Sequence, residues 1–384
     1  MNLPAAATNG TFTLKKLPPT KTASRLAARP AKQAIHTLFC GNERARHTMK
    51  KSFKDILQNI ATDPQLHTSH LFILSKMDKE SLTIFQETWP NVEVQRRRDV
   101  MQELLEITEV NFEVDFVPVF LLGLGDDDAE VRATAVKSLW EYEEESLVPV
   151  LIHMLKTDEA PLVREASASA LGQFVYLNEL EELNPTVGKM VEEALLDTIY
   201  QATEDLHVRR RAIESVSFSA DARIGPIIEN AYYHENVKMQ VSAIFAMGRN
   251  ADSRWLPSVI EELDNPNTEI RFEACRACGE LEAKDAVPRL ISLIEEDADI
   301  EVQEMAIWAL GRIGGDLARE ALEACLELEQ PVLAQAAEES LDELNLFADA
   351  ELMLYDFDED GDVMDFDDLL GEEPNGYPTN QYLN

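Results

Sequence analysis

Through the middle of the chain, apolar and small residues recur at i, i+3, i+4 and i+7, the spacing of one helix face. The pattern itself repeats. Seven ten-residue segments align without gaps: VRATAVKSLW from Val131, VREASASALG from Val163, VRRRAIESVS from Val208, MQVSAIFAMG from Met239, IRFEACRACG from Ile270, VQEMAIWALG from Val302 and LAQAAEESLD from Leu333. Their starts are separated by 32, 45, 31, 31, 32 and 31 residues. The one long interval predicts an insertion of about 14 residues around Val175 to Lys189, carrying an acidic loop, NELEELNP.

Each segment predicts the second helix of a hairpin. The first helices read as FVPVFLLGL, LVPVLIHML, IGPIIENAY, WLPSVIEEL and AVPRLISLI, with proline at 118, 149, 226, 257 and 288. In the first turn of a helix, proline forfeits no internal hydrogen bond and presets φ. The intervening GDDDAE, KTDEAP, LDNPNT and EEDADI are turn formers and N-caps. A diverged hairpin, KESLTIFQETW followed by VEVQRRRDVMQELLEI, precedes the series and raises the number to about eight, from Lys79 to Leu346. A hairpin of about 31 residues cannot bury its apolar face alone, whereas stacked hairpins share a continuous core. The expected fold is an all-α, right-handed solenoid over residues 79–348. A capping helix and linker occupy 51–78, with a helix expected near Ser52 to Ala61.

The two ends have opposite charge. Residues 1–51 hold ten Lys/Arg and one acid, Glu43, with prolines at 4, 18, 19 and 30. Residues 1–50 are expected to be a disordered basic segment. Three readings of 1–48 stand open: translation starting at Met49, where MKKSFKDIL opens a helix; an organelle transit peptide; or a basic arm. Residues 349–384 hold twelve acids and no Lys or Arg, and are expected to be a disordered acidic tail.

Over all 384 residues the formal charge is −38, with 45% hydrophobic residues. So negative a surface repels phosphate backbones and anionic headgroups, which argues against nucleic-acid and membrane partners. The longest apolar run, Phe116 to Leu124, is far short of the roughly 20 residues of a membrane span and contains Pro118. The four cysteines, 40, 275, 278 and 325, are too few for a disulfide scaffold and suit a reducing compartment, the cytoplasm, or an organelle if 1–48 is a transit peptide.

The Asp-led runs DEAPLVREASASALG (Asp158 to Gly172) and, more loosely, DADIEVQEMAIWALG (Asp297 to Gly311) resemble the HEAT-like repeats named after phycobilisome lyases. The resemblance spans residues 79 to 346 and implies an α-solenoid. It implies little about activity, since such repeats occur in lyases, hydroxylases, glycosylases and scaffolds. The RRR helix (Arg96 to Arg98) with FEVDF (Phe112 to Phe116) is also similar to bacterial HEAT-repeat proteins. The leading expectation is a non-catalytic scaffold or adaptor, oligomeric state open, whose groove holds a protein with a basic or neutral surface while the acidic tail modulates binding. The alternative is a bilin lyase or isomerase subunit, for which Trp140, Trp255 and Trp308 are the aromatic candidates.

Five constellations carry possible chemistry. Arg132, Arg164, Arg209 and Arg271 follow the residue that opens each second helix, with Asp127, Asp158 and Asp205 a few positions earlier. They are expected to form a structural Asp–Arg ladder, interrupted where Gln240 and Gln303 replace Arg. The runs Arg96–Arg98 and Arg209–Arg211 point about 100° apart on a helix and cannot form a flat patch. Cys275 and Cys278 share a small-residue helix face and read as core thiols. Of the seven histidines, only His234 precedes a Glu, and one such dipeptide cannot supply the ligands of a di-iron hydroxylase; His67 and His70 lie in a predicted loop. The tail run DFDEDGDVMDFD partly fits an EF-hand loop, with Asp356, Asp358, Asp360, Asp362 and Asp367 as Ca²⁺ candidates, although a final Asp is a poorer bidentate ligand than Glu. No other cofactor is expected.

Overall fold

The computed structural model describes residues 53–355, with side chains from 53 to 346. The basic segment 1–52 and the tail from Asp356 onward, including all five Ca²⁺ candidates, lie outside the described residues. Within them every regular element is helical. Two short helices come first, α1 (Phe53–Thr62) and α2 (Thr68–Leu71), the latter continued by a 3₁₀ turn, Phe72–Leu74.

Eight hairpins follow. They are α3/α4 (Lys79–Thr88, Val94–Val110), α5/α6 (Val117–Gly123, Ala129–Ser138), α7/α8 (Val148–Thr157, Pro161–Glu179) and α9/α10 (Pro185–Tyr200, Leu206–Val216). Then come α11/α12 (Ile224–Tyr232, Val237–Asn250), α13/α14 (Leu256–Glu261, Thr268–Glu280), α15/α16 (Val287–Glu296, Ile300–Ile313) and α17/α18 (Asp316–Cys325, Pro331–Tyr355). The stack is an α-solenoid.

The local chemistry explains the boundaries. Pro118, Pro149, Pro257 and Pro288 occupy the second position of their helices, and Pro226 the third. Second helices begin on side-chain caps: Asp128 accepts from Glu130 and Val131 N–H, Asp205 from His207, Asn236 from Lys238, Asn267 from Ile270 and Asp299 from Glu301. One detail extends the sequence reading and one corrects it. The acidic loop of the insertion is confined to residues 180–184, and the rest of the insertion lengthens the helices on either side, α8 to 19 residues and α9 to 16. Leucine and valine at Leu171, Val175, Val191 and Leu195 give the added turns an apolar face to bury. At the far end, α18 does not stop at 348 but continues to Tyr355.

Each second helix packs on the next, from α4 through α18, and these contacts are more extensive than those between successive first helices. Small residues permit it. A Cβ on Gly248 would lie 2.9 Å from the Ala277 Cα, and one on Gly279 would lie 3.0 Å from the Ala309 Cα and 2.7 Å from Trp308. The core is therefore one continuous apolar seam between the two helix rows, from Leu57 to Leu341.

Candidate interaction surface

Three rows of side chains run along this stack. The first lies at the hairpin tips. Arg132 donates to both carboxylate oxygens of Asp158 in the next layer (2.8 and 2.9 Å) and to the Asp126 and Asp127 carbonyls of its own turn. Arg271 does the same with Asp297 and with the carbonyls of Asn265 and Pro266. Arg164 grips Glu204 and the Asp158 and Glu159 carbonyls. Each arginine thus closes its own turn and ties down the following one. The carboxylate partner belongs to the next layer, so Asp127 and Asp205 are not ladder acids: Asp127 contributes its carbonyl, and Asp205 caps α10. Arg209 also departs from the expectation, its Nε donating to the Ile199 carbonyl. Gln240 and Gln303 keep the bond to their own turn, at His234 and Asp297 carbonyls.

Sequence reasoning missed the ladder's first rung. Arg97 is the fourth residue of α4, as Arg132, Arg164 and Arg271 are of their helices, and it is buried against Asp126 of the next turn, whose same oxygen accepts from the Trp89 indole (both 2.8 Å). Beside it Arg98 makes a bidentate contact to the cap Asp128 (2.9 and 2.6 Å), and the Asp128 carboxyl is held below its ordinary range chiefly by that bond. The signal was present in the Arg96–Arg98 run, but nothing in it says which of three arginines takes the place of Arg132. Arg96 turns to the Asp63 carbonyl. The second run divides likewise: Arg210 donates to Ser242 and the Lys238 carbonyl, and Arg211 bridges Glu165 and Glu214.

The second row follows the middle of the second helices: Glu214, Phe245, Arg276 and Trp308, flanked by Phe218, Arg249, Glu273 and Glu280. This row is largely closed. Arg276 lies over the Phe245 ring at 4.0 Å, and Arg249 stands 5.3 Å from both Phe218 and Phe245. On α10, α12 and α14, beyond their first turns, every residue is buried or half-buried. The groove, expected over exposed first- or second-helix residues, therefore has no fully exposed second-helix residue beyond the first turns of this central stretch.

The third row is apolar and exposed. Seven of the 13 exposed large apolar residues among those described sit at hairpin tips: Val94, Leu162, Tyr200, Tyr233, Val237, Ile300 and Leu326. Tyr200 and Tyr233, closing α9 and α11, are 62% and 75% exposed. Two shallow recesses open on the same edge, one of about 450 Å³ lined by Lys156, Asp197, Gln201 and Glu204, the other of about 550 Å³ lined by Asn230, Tyr233, His234 and Glu235.

The remaining candidates are structural. Cys275 and Cys278 are buried free thiols, and burial pushes the Cys278 thiol up to about 12 and Cys275 higher still. The His234 Nδ1 accepts from the Asn236 N–H, and the His67 and His70 rings meet edge to face. Among the described residues no group of three or more His, Cys, Asp or Glu is arranged to hold a metal ion. Trp255 is buried with its indole donating to Asn250, and Trp308 fills the space over Gly279. No helix of the described residues is long and apolar enough to cross a membrane.

The sequence profile of HEAT repeats matches residues 117–184, 224–299 and 256–342. No curated protein sequence matches this chain. Among solved structures, Escherichia coli YibA is 18% identical with a TM-score of 0.41, covering 78% of this chain and 99% of its own. The CpcE–CpcF complex of phycocyanin lyase from Nostoc sp. PCC7120 is 19% identical with a TM-score of 0.38, covering 59% and 94%. Human deoxyhypusine hydroxylase with glycerol is 18% identical with a TM-score of 0.32, covering 70% and 96%. Across residues 117–184 and 224–342 the chain is built of HEAT repeats, and its eight stacked hairpins continue that pattern beyond them.

Proposed function

We propose that the protein is a non-catalytic scaffold that holds a neutral or basic protein segment along its hairpin tips. The supporting observation is where apolar surface remains open. The second helices of the central layers are closed, whereas the tips carry protruding Tyr200, Tyr233, Leu162 and Val237. Tyrosine offers a large contact area with little rotamer entropy to lose, the property that makes it a frequent interface anchor. The arginines at this edge are already engaged by Asp158, Glu204 and Asp297. The charge left facing solvent beside the tyrosines includes Glu235 and Glu261, which favours a basic or neutral partner and steers its approach.

A photo-crosslinking amino acid placed in the full chain at Tyr200 or Tyr233, and for comparison at Phe245 on a second helix and Met190 on a first helix, tests this in the native cell. Adducts from the two tyrosine positions, sharing one partner, are expected. Adducts confined to Phe245 or Met190 would move the working surface elsewhere.

A further inference from the structure

We propose that Glu273 and the charged side chains around it form a proton-operated joint between the α11/α12 and α13/α14 layers, closed while Glu273 carries a proton and loosened when the proton leaves. The geometry that points to this is a buried cluster drawn from three consecutive second helices. Glu214 comes from α10, Arg249 from α12, and Glu273, Arg276 and Glu280 from α14. Their side chains are 4–15% exposed. Arg276 Nη2 lies 2.8 Å from Glu273, Arg249 Nε lies 3.2 Å from Glu280, and Arg276 Nε lies 3.9 Å from Glu280.

These are contacts of charge without the alignment a hydrogen bond requires. Of the nine buried side-chain N and O atoms with no hydrogen-bond partner among the described residues, five belong here: Arg249 Nε, Glu273 Oε2, Arg276 Nε and Nη2, and Glu280 Oε2. Buried polar groups are ordinarily satisfied, so such a concentration marks a place where the charged form is poorly supported.

The three carboxylates are not equivalent. Glu214 accepts from the Ser242 hydroxyl (2.5 Å) and from Arg211 (2.6 Å). Glu280 lies between two guanidiniums. Glu273 has Arg276 alone, while Glu214 of α10 and Glu280 of its own helix both repel a negative charge there and Arg249 of α12 partly offsets them. On α16, Arg312 occupies the repeat position of Glu280 and pairs with Glu343, and Glu304 has Glu301 and Glu339 as charged neighbours. α15 meets α14 through the Arg271–Asp297 pair. A proton entering the cluster therefore goes to Glu273. Burial pushes that carboxyl up to about 7, against the pull of Arg276.

The sign follows. A carboxyl whose folded affinity for protons exceeds its unfolded one stabilises the packed state fully below the unfolded value of about 4.5, and that contribution is lost as pH rises through about 7. As pH rises from about 4.5 to about 7 the α12–α14 contact loosens, and above neutrality it stays at that looser limit. This joint lies within the tight helix row, so its opening changes how the hairpin tips on either side are spaced.

Hydrogen exchange read by mass spectrometry on the full chain, corrected for intrinsic rate, tests the proposal. Opening of α12 and α14 is expected to rise by up to ~10-fold per pH unit between about 4.5 and about 7 and to level off above neutrality, while α6 and α8 stay level, and Glu273→Gln is expected to hold α12 and α14 protected across the range. Infrared difference spectra of the wild type should show a protonated carboxyl lost near neutrality and missing in Glu273→Gln. Identical pH profiles for the two proteins, or no carboxyl titrating near neutrality in the wild type, would overturn it.

Discussion

Arg271 closes the turn of its own layer and holds Asp297 of the next with a single guanidinium, through bonds of 2.6 and 2.9 Å to the carboxylate and 2.9 and 3.2 Å to two carbonyls. The pair is only part-buried, at 15% and 3% side-chain exposure, so it escapes both the full screening of a surface pair and the full desolvation of a core one. A double-mutant cycle on Arg271→Ala and Asp297→Ala should give a coupling of about 1–3 kcal/mol in urea unfolding at neutral pH. Arg271 holds the Asp297 carboxyl below its ordinary range. A depressed carboxyl stabilises above its unfolded pKa and loses that contribution as pH falls through the folded value. The coupling should therefore survive down to about pH 4 and vanish below it. Additive single mutants would mean that the ladder is decorative.

Asp126 presents a harsher case. Its carboxylate is nearly inaccessible and accepts from the Trp89 indole, the Arg97 guanidinium and the Asp128 N–H. Asp126→Asn keeps the shape but strands a buried arginine without its counter-charge, which costs about 3–5 kcal/mol where a buried pair is broken. The loss should appear in the α3/α4 and α5/α6 layers as faster hydrogen exchange, with the C-terminal hairpins unchanged, because each repeat contacts mainly its neighbours. A uniform loss across all eight layers would show that the stack unfolds as one unit.

The closeness of the second-helix row predicts how glycines respond to a methyl group. Gly279→Ala gains roughly 1 kcal/mol of helix propensity. The new Cβ would stand 3.0 Å from the Ala309 Cα and 2.7 Å from Trp308, and a backbone atom cannot swing aside. Overpacking of this kind costs about 1–3 kcal/mol, so the net change should be destabilising. Gly125→Ala is the contrast: its nearest neighbour would be the Leu122 carbonyl at 3.8 Å, and thermal unfolding should hardly move. Equal midpoints for the two variants would show that α14 and α16 are not pressed together.

The repeat, its hairpins and its turn chemistry were legible in the sequence because each rests on local rules. Proline in a first turn, Asp or Asn before an apolar stripe, and small residues every few positions mean the same thing wherever they occur. What was not legible depends on the neighbouring layer. Nothing in the chain pattern says that the partner of Arg132 is Asp158 of the next turn, or that Arg97 and not Arg98 is the first rung. The acidic loop of the insertion was legible in NELEELNP, where residues 180–184 link α8 and α9, but the lengthening of both helices around it was not. The closing of the central second helices was likewise hidden, since nothing in the chain pattern sets α10 and α12 against Glu273, Arg276 and Glu280.

Cys275 and Cys278 separate distance from reactivity. Residues at i and i+3 of one helix have Cα atoms about 5 Å apart, within the Cα span a disulfide bridges. Spacing alone would permit an oxidisable pair. Burial opposes it: both side chains are sealed in the core, and the thiolate that attacks an oxidant or alkylating reagent is disfavoured, with Cys278 pushed up to about 12 and Cys275 further. In peptide-mapped alkylation of the native protein at mildly alkaline pH, both residues should remain unmodified for hours and react within minutes once urea opens the core. Their labelling rate in the native protein should follow the opening of α14 and be insensitive to reagent concentration when reagent is in excess. Prompt labelling of either thiol, or a Cys275–Cys278 disulfide formed under mild oxidation without denaturant, would assign them a redox role that their position in the helix row argues against.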